Sequence, residues 1–186
     1  MSERKTAAAL GFLTVVEHEP HGLFGGYLVL NASGRPLEFH CTAPIKPNRA
    51  QEILYGPTLE PYLYGEQIGQ TLISKAKTQP LAVCTDQQAA LAAREFLSLP
   101  MTFIRPEGEV ADANPSQPRW RIDSAHAGPV LKHFELGRNR AAVSSRYADD
   151  QAVLVERLAG IAEHLDLREP FDRIRGAIEE AQRGGR

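Results

Sequence analysis

Apolar and polar residues near the N-terminus form three short runs that are separated by turn-forming residues. The runs are LGFLTVVEH (10–18), FGGYLVLN (24–31) and LEFHCTA (37–43), and EPHG and ASGRP separate them. In the third run, apolar residues at 37, 39 and 41 alternate with polar residues at 38, 40 and 42. This period of two is typical of a strand with one buried face. Because the connections are short, the pattern predicts a three-stranded antiparallel meander.

The period becomes helical after residue 43. Asn48 and Gln51 have the spacing of a capping box, which predicts a helix over RAQEILYG (49–56), and Thr58 can cap a second helix. A strand at 81–84, a helix over 86–97 and a strand at 101–104 predict a βαβ unit with parallel strands. Two amphipathic helices follow, with the apolar stripes Leu154, Leu158, Ile161 and Leu165, and Phe171, Ile174, Ile178 and Ala181.

These elements predict an α/β protein with a mixed five-stranded sheet and a helical C-terminal extension. We expect the α/β core to span residues 1–104. Residues 105–128 are polar and rich in Pro, which predicts a loop or an insertion. Residues 129–186 would add a strand and the C-terminal helices, packed on the core. Within this part, RWRID (119–123) and PVLKHFEL (129–136) can pair as an added hairpin.

Charge and composition narrow the classes of partner and location. The chain has 21 Lys and Arg against 23 Asp and Glu, a net charge of -2, so bulk charge argues against nonspecific binding of nucleic acid. No apolar run approaches the roughly 20 residues of a membrane span, and we expect no membrane partner and a cytoplasmic location. Cys41 and Cys84 lie in strand-like runs without CxxC spacing, which predicts reduced thiols in the core.

Three antiparallel strands, a helical segment, a strand, a helix, a strand and a late helix follow one another along the chain. This order resembles the ribonuclease H-like fold, and the stretches GGYLVLNASGRPLEFHCTA, PNRAQEIL and LAVCTDQQAALAA are similar to segments of that family. The resemblance covers residues 9–104 well and the rest loosely. It implies acidic site residues at Glu52 on the first helix, at Asp86 after the fourth strand, and at Asp150 or its neighbour Asp149 on the late helix.

The resemblance also implies a chemistry. Glu17, Glu52, Asp86 and Asp150 would be the catalytic residues and the ligands of two Mg²⁺ ions in phosphodiester hydrolysis. The family's first strand carries a central Asp, whereas this chain has valines there and Glu17 slightly later. We therefore favour a non-catalytic binding or interaction module, with a Mg²⁺-dependent nuclease as the alternative.

Each carboxylate also has an interpretation that requires no site. Asp86 can cap the helix that follows it, and Asp150 can oppose the positive end of a helix dipole. Glu52 can belong to a solvated helix face, and Glu17 can simply end a strand. Only the resemblance to a fold joins the four residues into one site.

A basic segment adds a second candidate site. The stretch GRNRAAVSSR (137–146) contains Arg138, Arg140 and Arg146 directly before the late helix. Guanidinium groups suit phosphate oxygens, so we predict that these arginines bind phosphate in a nucleic acid partner. The alternatives are a solvated loop or a contact with an acidic protein partner.

Overall fold

A mixed sheet of seven strands runs through residues 8–108 and 129–184, the part of the chain that this computed structural model describes. In chain order the strands are β1 (Ala9–His18), β2 (Gly22–Asn31), β3 (Pro36–Cys41), β4 (Val83–Thr85), β5 (Met101–Ile104), β6 (Leu131–Leu136) and β7 (Asn139–Ser144). Their order across the sheet is β3-β2-β1-β4-β5-β7-β6. The meander β1–β2–β3 is antiparallel and β1, β4 and β5 are parallel, as the sequence predicted.

The prediction of five strands was wrong, because β6 and β7 extend the sheet beyond β5. β7 pairs antiparallel with β5, and β6 pairs with β7 around a turn at Gly137, whose φ is 58°. β7 lies in the segment that the charge pattern indicated as a basic loop. Its short apolar run, Ala141 to Val143, is fully buried in the sheet. Because arginines flank this run, the sequence pattern there did not predict a strand. Residues 119–123, the predicted hairpin partner, lie outside the described residues.

Helices cover both faces of the sheet. The first layer contains α1 (Arg49–Tyr55), α2 (Leu59–Pro61), a π-helical segment (Tyr62–Gln70), α3 (Thr71–Lys75) and a 3₁₀ helix (Gln88–Phe96). The second layer contains α4 (Asp150–Ala162) and α5 (Glu169–Gly184). Alternate residues of β1 divide between the two cores: Leu13 and Val15 pack under the first layer, and Phe12 packs under the second. Among the described residues, no helix is both long and apolar enough to cross a bilayer.

Of the three predicted helix starts, one is confirmed and two are wrong. The capping box is confirmed, because the Gln51 amide donates to Asn48 Oδ1 at 2.9 Å and the Asn48 amide donates to Gln51 Oε1 at 3.0 Å. Thr58 does not cap; its hydroxyl donates to the carbonyl of Tyr55 at 2.7 Å. The helix predicted over 86–97 is a 3₁₀ helix that begins only at Gln88, since the preceding residue is still extended.

Two consecutive glycines in β2 let both helical layers approach the sheet at one point. A Cβ on Gly25 would lie 2.1 Å from Ile68 Cγ2 in the first layer, and a Cβ on Gly26 would lie 2.2 Å from Ile174 Cγ2 in the second. Successive side chains of a strand point to opposite faces, so each glycine accommodates one layer. The GGY motif is therefore a packing requirement of a sheet covered on both sides.

The two cysteines occupy different environments, so the prediction of two core thiols was wrong for one of them. Cys84 is fully buried on β4, and burial raises the pKa of its thiol to about 12. Cys41 is exposed because it ends β3, an edge strand of the sheet.

Candidate functional site

The carboxyl ends of β1, β4 and β5 meet at one edge of the sheet, which we call the carboxyl edge. These strands are parallel, and β7 runs against them, so the turn before β7 reaches the same edge. The Arg105 amide donates to the carbonyl of Arg140 at 2.9 Å and ties this turn to the end of β5. Crevices at the carboxyl ends of strands are the common ligand sites of open α/β sheets.

Asp86 follows β4 at the carboxyl edge and pairs with Arg175 of α5. Its side chain is only 11% exposed, and its Oδ1 is buried without a hydrogen-bond partner in the described structure. Arg175 also contacts Asp172 at 3.0 Å. The interpretation of Asp86 as a helix cap is thus wrong, because its carboxylate faces the second layer and not the start of the 3₁₀ helix.

Gln87 holds this corner in place, and no signal in the sequence singled it out. Its side-chain amide donates to the carbonyl of Val15 at 2.8 Å, and its Oε1 accepts from the amide of Val15 at 2.7 Å. The side chain thereby completes the pairing of β1 with β4 after β4 has ended.

Glu17 faces the opposite side of the sheet from Asp86. It follows Leu13 and Val15 on the side of β1 that packs under the first layer, whereas Asp86 faces α5. Glu17 and Glu52 line the same cavity of about 710 Å³, between the β1–β2 turn and α1. The structure therefore brings together two of the predicted site residues and places Asp86 across the sheet from them.

Asp150 lies at the other edge of the sheet, because α4 begins after β7 has run back from the carboxyl edge. It accepts two hydrogen bonds from Arg94, at 2.8 Å from Nε and at 3.1 Å from Nη2. The Arg94 guanidinium stacks over the Tyr147 ring at 4.4 Å, and its hydrogen bond to Asp150 raises the pKa of Arg94. Asp150 is therefore half of an ion pair that joins α4 to the 3₁₀ helix.

The four carboxylates do not fit the two-ion site that the resemblance implied. Mg²⁺ needs an octahedron of oxygen ligands, and a two-ion site needs carboxylates that bridge ions about 4 Å apart. Within residues 8–108 and 129–184, no group of three or more His, Cys, Asp or Glu side chains could hold a metal ion. Asp86 and Asp150 each neutralise an arginine, on different edges of the sheet.

Four arginines line a cavity of about 320 Å³ at the carboxyl edge, which we call the basic pocket: Arg105, Arg138, Arg140 and Arg168. Arg168 pairs with Asp166 at 3.0 Å and with Glu107 at 3.1 Å. Arg138 and Arg140 are exposed, and neither has an ion-pair partner among the described residues.

Two of the three arginines that the sequence predicts to bind phosphate, Arg138 and Arg140, line the basic pocket, and phosphate binding itself stays a prediction. Arg146 lies past the far end of β7, in the 3₁₀ turn that follows the strand, and pairs with Glu95. Arg105 could have been predicted, since it directly follows a parallel strand. Arg168 has no such signal, because only the packing of the second layer brings it to this edge.

The cavity that contains Glu17 and Glu52 is acidic at its rim and apolar below, and we call it the acidic groove. Its carboxylates are Glu17, Glu19, Glu52 and Glu60. Its apolar residues include Leu23, Ile45, Leu59 and Leu63. Tyr64 also lines the groove, and burial, together with the charges of Glu60 and Glu17, raises the pKa of its hydroxyl.

Comparison with known proteins identifies no family. No protein-family model and no curated protein matches the chain. Among solved structures, a crystal structure of human ENDOV is similar with a TM-score of 0.44 and 11% identity, over 96% of this chain and 87% of that chain. A likeness at this level carries no weight for the fold or the function of this chain.

Proposed function

We propose that this protein is a non-catalytic, ribonuclease H-like binding module that holds the phosphates of a nucleic acid in the basic pocket. The assignment to this fold rests on the element order: an antiparallel meander, helices, and a βαβ unit that adds to the same central strand. The observation that carries the function is the convergence of four arginines in one small cavity at the carboxyl edge.

The case against catalysis rests on the ion pairs that two of the four candidate carboxylates form with arginines. Arg175 neutralises Asp86 from the second layer, and Arg94 holds Asp150 in a bidentate pair at the other edge. For either carboxylate to bind Mg²⁺, its ion pair with the arginine would have to be broken or shared with the metal ion. Glu17 and Glu52 line a separate cavity across the sheet from Asp86, so the four carboxylates do not converge on one pair of ions.

The case for phosphate rests on the chemistry of the arginine side chain and on the lack of ion-pair partners for Arg138 and Arg140 in the described structure. A guanidinium presents a planar fork of donors that matches two oxygens of a phosphate. Arg138 and Arg140 have no competing carboxylate within ion-pair distance in the described structure, although Glu135 lies directly across from Arg140 in the β6–β7 pair. Glu107 is the only carboxylate among the residues described as lining the pocket.

Nucleic acid is the preferred partner because it repeats the phosphate along a chain. The net charge of -2 means that attraction must come from this local cluster and not from the molecule as a whole. Binding should therefore be weak and strongly dependent on salt.

The test is fluorescence anisotropy with a labelled 12-nucleotide single strand, as DNA and as RNA, from 50 to 200 mM salt. We expect R138Q/R140Q to weaken binding tenfold or more and to reduce the slope of log K against log salt by about 1.4, for two lost phosphate contacts. The matched control is R49Q/R183Q, which removes two exposed arginines elsewhere, at 82% and 75% exposure. An equal loss in both variants, or no binding by the wild type, would overturn the proposal.

A cleavage assay on the same strands distinguishes the nuclease alternative. The strands are incubated with Mg²⁺ or Mn²⁺ and either wild type or Asp86→Asn. We expect no cleavage by either protein. Cleavage by the wild type that the substitution abolishes would make Asp86 a metal ligand and replace our proposal.

A further inference from the structure

We propose that the acidic groove is a docking site for a protein partner, and that its occupant is a segment with Lys or Arg side chains beside apolar ones. This surface is separate from the basic pocket, since the two cavities share no lining residue. The inference therefore does not depend on nucleic acid binding.

The shape and floor of the groove suit a peptide chain. Its volume of about 710 Å³ is more than twice that of the basic pocket at about 320 Å³. Leu23 and Leu63 lie at its base with 8% and 5% exposure, and Ile45 pairs with Leu23 to form one wall. A cavity with an apolar floor gains most from an apolar side chain inserted into it.

The negative charge at the rim of the acidic groove favours a positively charged segment as its ligand. Glu17, Glu19 and Glu60 have no ion-pair partner among the described residues. Within the described chain, Glu52 pairs only with Arg49, in an exposed contact that solvent screens. Lys46 is the only Lys or Arg in the described lining, so the rim is strongly negative and complements a basic segment.

Helix α1 extends the apolar surface beyond the groove. It buries none of its residues, and directly after Glu52 it exposes Ile53 by 66% and Leu54 by 82%. Adjacent exposed apolar side chains beside a cavity are typical of an interaction surface. A small polyamine would satisfy the glutamates but leave these side chains in water, so we assign the groove to a protein segment.

Two synthetic 12-residue peptides of Lys and Leu test this, one alternating and one with helical spacing, measured by calorimetry. A third peptide replaces every Leu with Ser, and spermine serves as the small polycation. We expect at least one Lys/Leu peptide to bind, with E17Q/E60Q weakening binding tenfold or more and I53S/L54S threefold or more. The matched control is E156Q/E163Q, which removes two exposed glutamates of the second-layer region and should leave binding unchanged.

Each other result would overturn the proposal. Failure of both Lys/Leu peptides removes the docking site, and equal binding of the Lys/Ser peptide or spermine assigns the groove to small polycations. Self-association of the protein alone that is lost in E17Q/E60Q would make a second copy the occupant. Thermal melts of each variant establish that it is folded. Oligonucleotide binding should survive in E17Q/E60Q, and peptide binding should survive in R138Q/R140Q, so this inference and the proposed function can fail separately.

Discussion

The ion pair between Arg94 and Asp150 offers the sharpest test of how the carboxylates are used. Both side chains are largely buried, at 18% and 11% exposure, and two hydrogen bonds of 2.8 and 3.1 Å join them. Asp150→Asn keeps the shape of the side chain but leaves the guanidinium without its counterion. Breaking a buried pair in this way costs about 3–5 kcal/mol, and residual exposure favours the lower limit of about 3 kcal/mol.

The expected loss is large enough to measure precisely. At about 2–4 °C per kcal/mol for a chain of this size, the melting temperature should fall by about 6–12 °C. Urea unfolding followed by circular dichroism would give the free energy of unfolding, with an unchanged m-value showing that the denatured state is comparable. Asp149→Asn is the matched control, since Asp149 is the exposed neighbour of Asp150 and should change stability by less than 0.5 kcal/mol, the order expected for surface substitutions.

A double-mutant cycle then isolates the pair from other effects. If the ion pair is the cause, Arg94→Met combined with Asp150→Leu should be much less destabilising than the two single changes added together, because no charge remains buried. A free energy of unfolding for Asp150→Asn that lies within 1 kcal/mol of the wild-type value would refute this account of the ion pair. Stabilisation of the wild type and not of the variant by Mg²⁺ would refute it as well, since Asp150 would then be a metal ligand.

Three further predictions concern single groups. The carboxylate of Glu38 accepts hydrogen bonds from Thr78, His40 and the Lys77 amide, which lowers its pKa from 4.5 to about 2. Its contribution to stability should therefore be complete above pH 4.5 and disappear as the pH falls towards 2. An NMR titration of Glu38 with a midpoint near 4.5 would contradict this. Ellman's reagent should react with one thiol in the native protein and with two in urea, because Cys41 is exposed and Cys84 is buried. Cys41→Ser should abolish the reaction of the native protein, and rapid reaction of Cys84 in the folded state would contradict its burial. Gly26→Ala should cost about 2 kcal/mol in urea unfolding because its methyl group would overlap Ile174, and an unaltered midpoint would show that α5 shifts freely.

The parts of the fold that local patterns determine were predictable. Alternation and short turns specified the meander, and the capping box specified the start of α1. β7 was missed because its buried core is only three residues long and arginines precede it. A strand of that length is specified by the neighbours it pairs with, and the sequence does not display them.

The candidate site was less predictable because it depends on which face and which edge each residue occupies. Glu17 and Asp86 were both expected at strand ends, but the period of two places them on opposite faces of the sheet. Asp86 and Arg175 are 89 residues apart in sequence, and only the packing of α5 on the sheet brings them together. Arg138 and Arg140 lie at the carboxyl edge as a candidate phosphate site requires, whereas β7 carries Arg146 away from it.

The cover that α5 provides for β1 and β2 has a consequence for synthesis on the ribosome. α5 packs on the two N-terminal strands, yet it begins about 140 residues after β2 ends. At about 5–20 residues per second, translation needs roughly 7–28 s to make the intervening chain. During that time the apolar side of the hairpin, with Phe12 and Leu28, lacks its native cover. Nascent chains should therefore engage chaperones that bind apolar strands until α5 emerges.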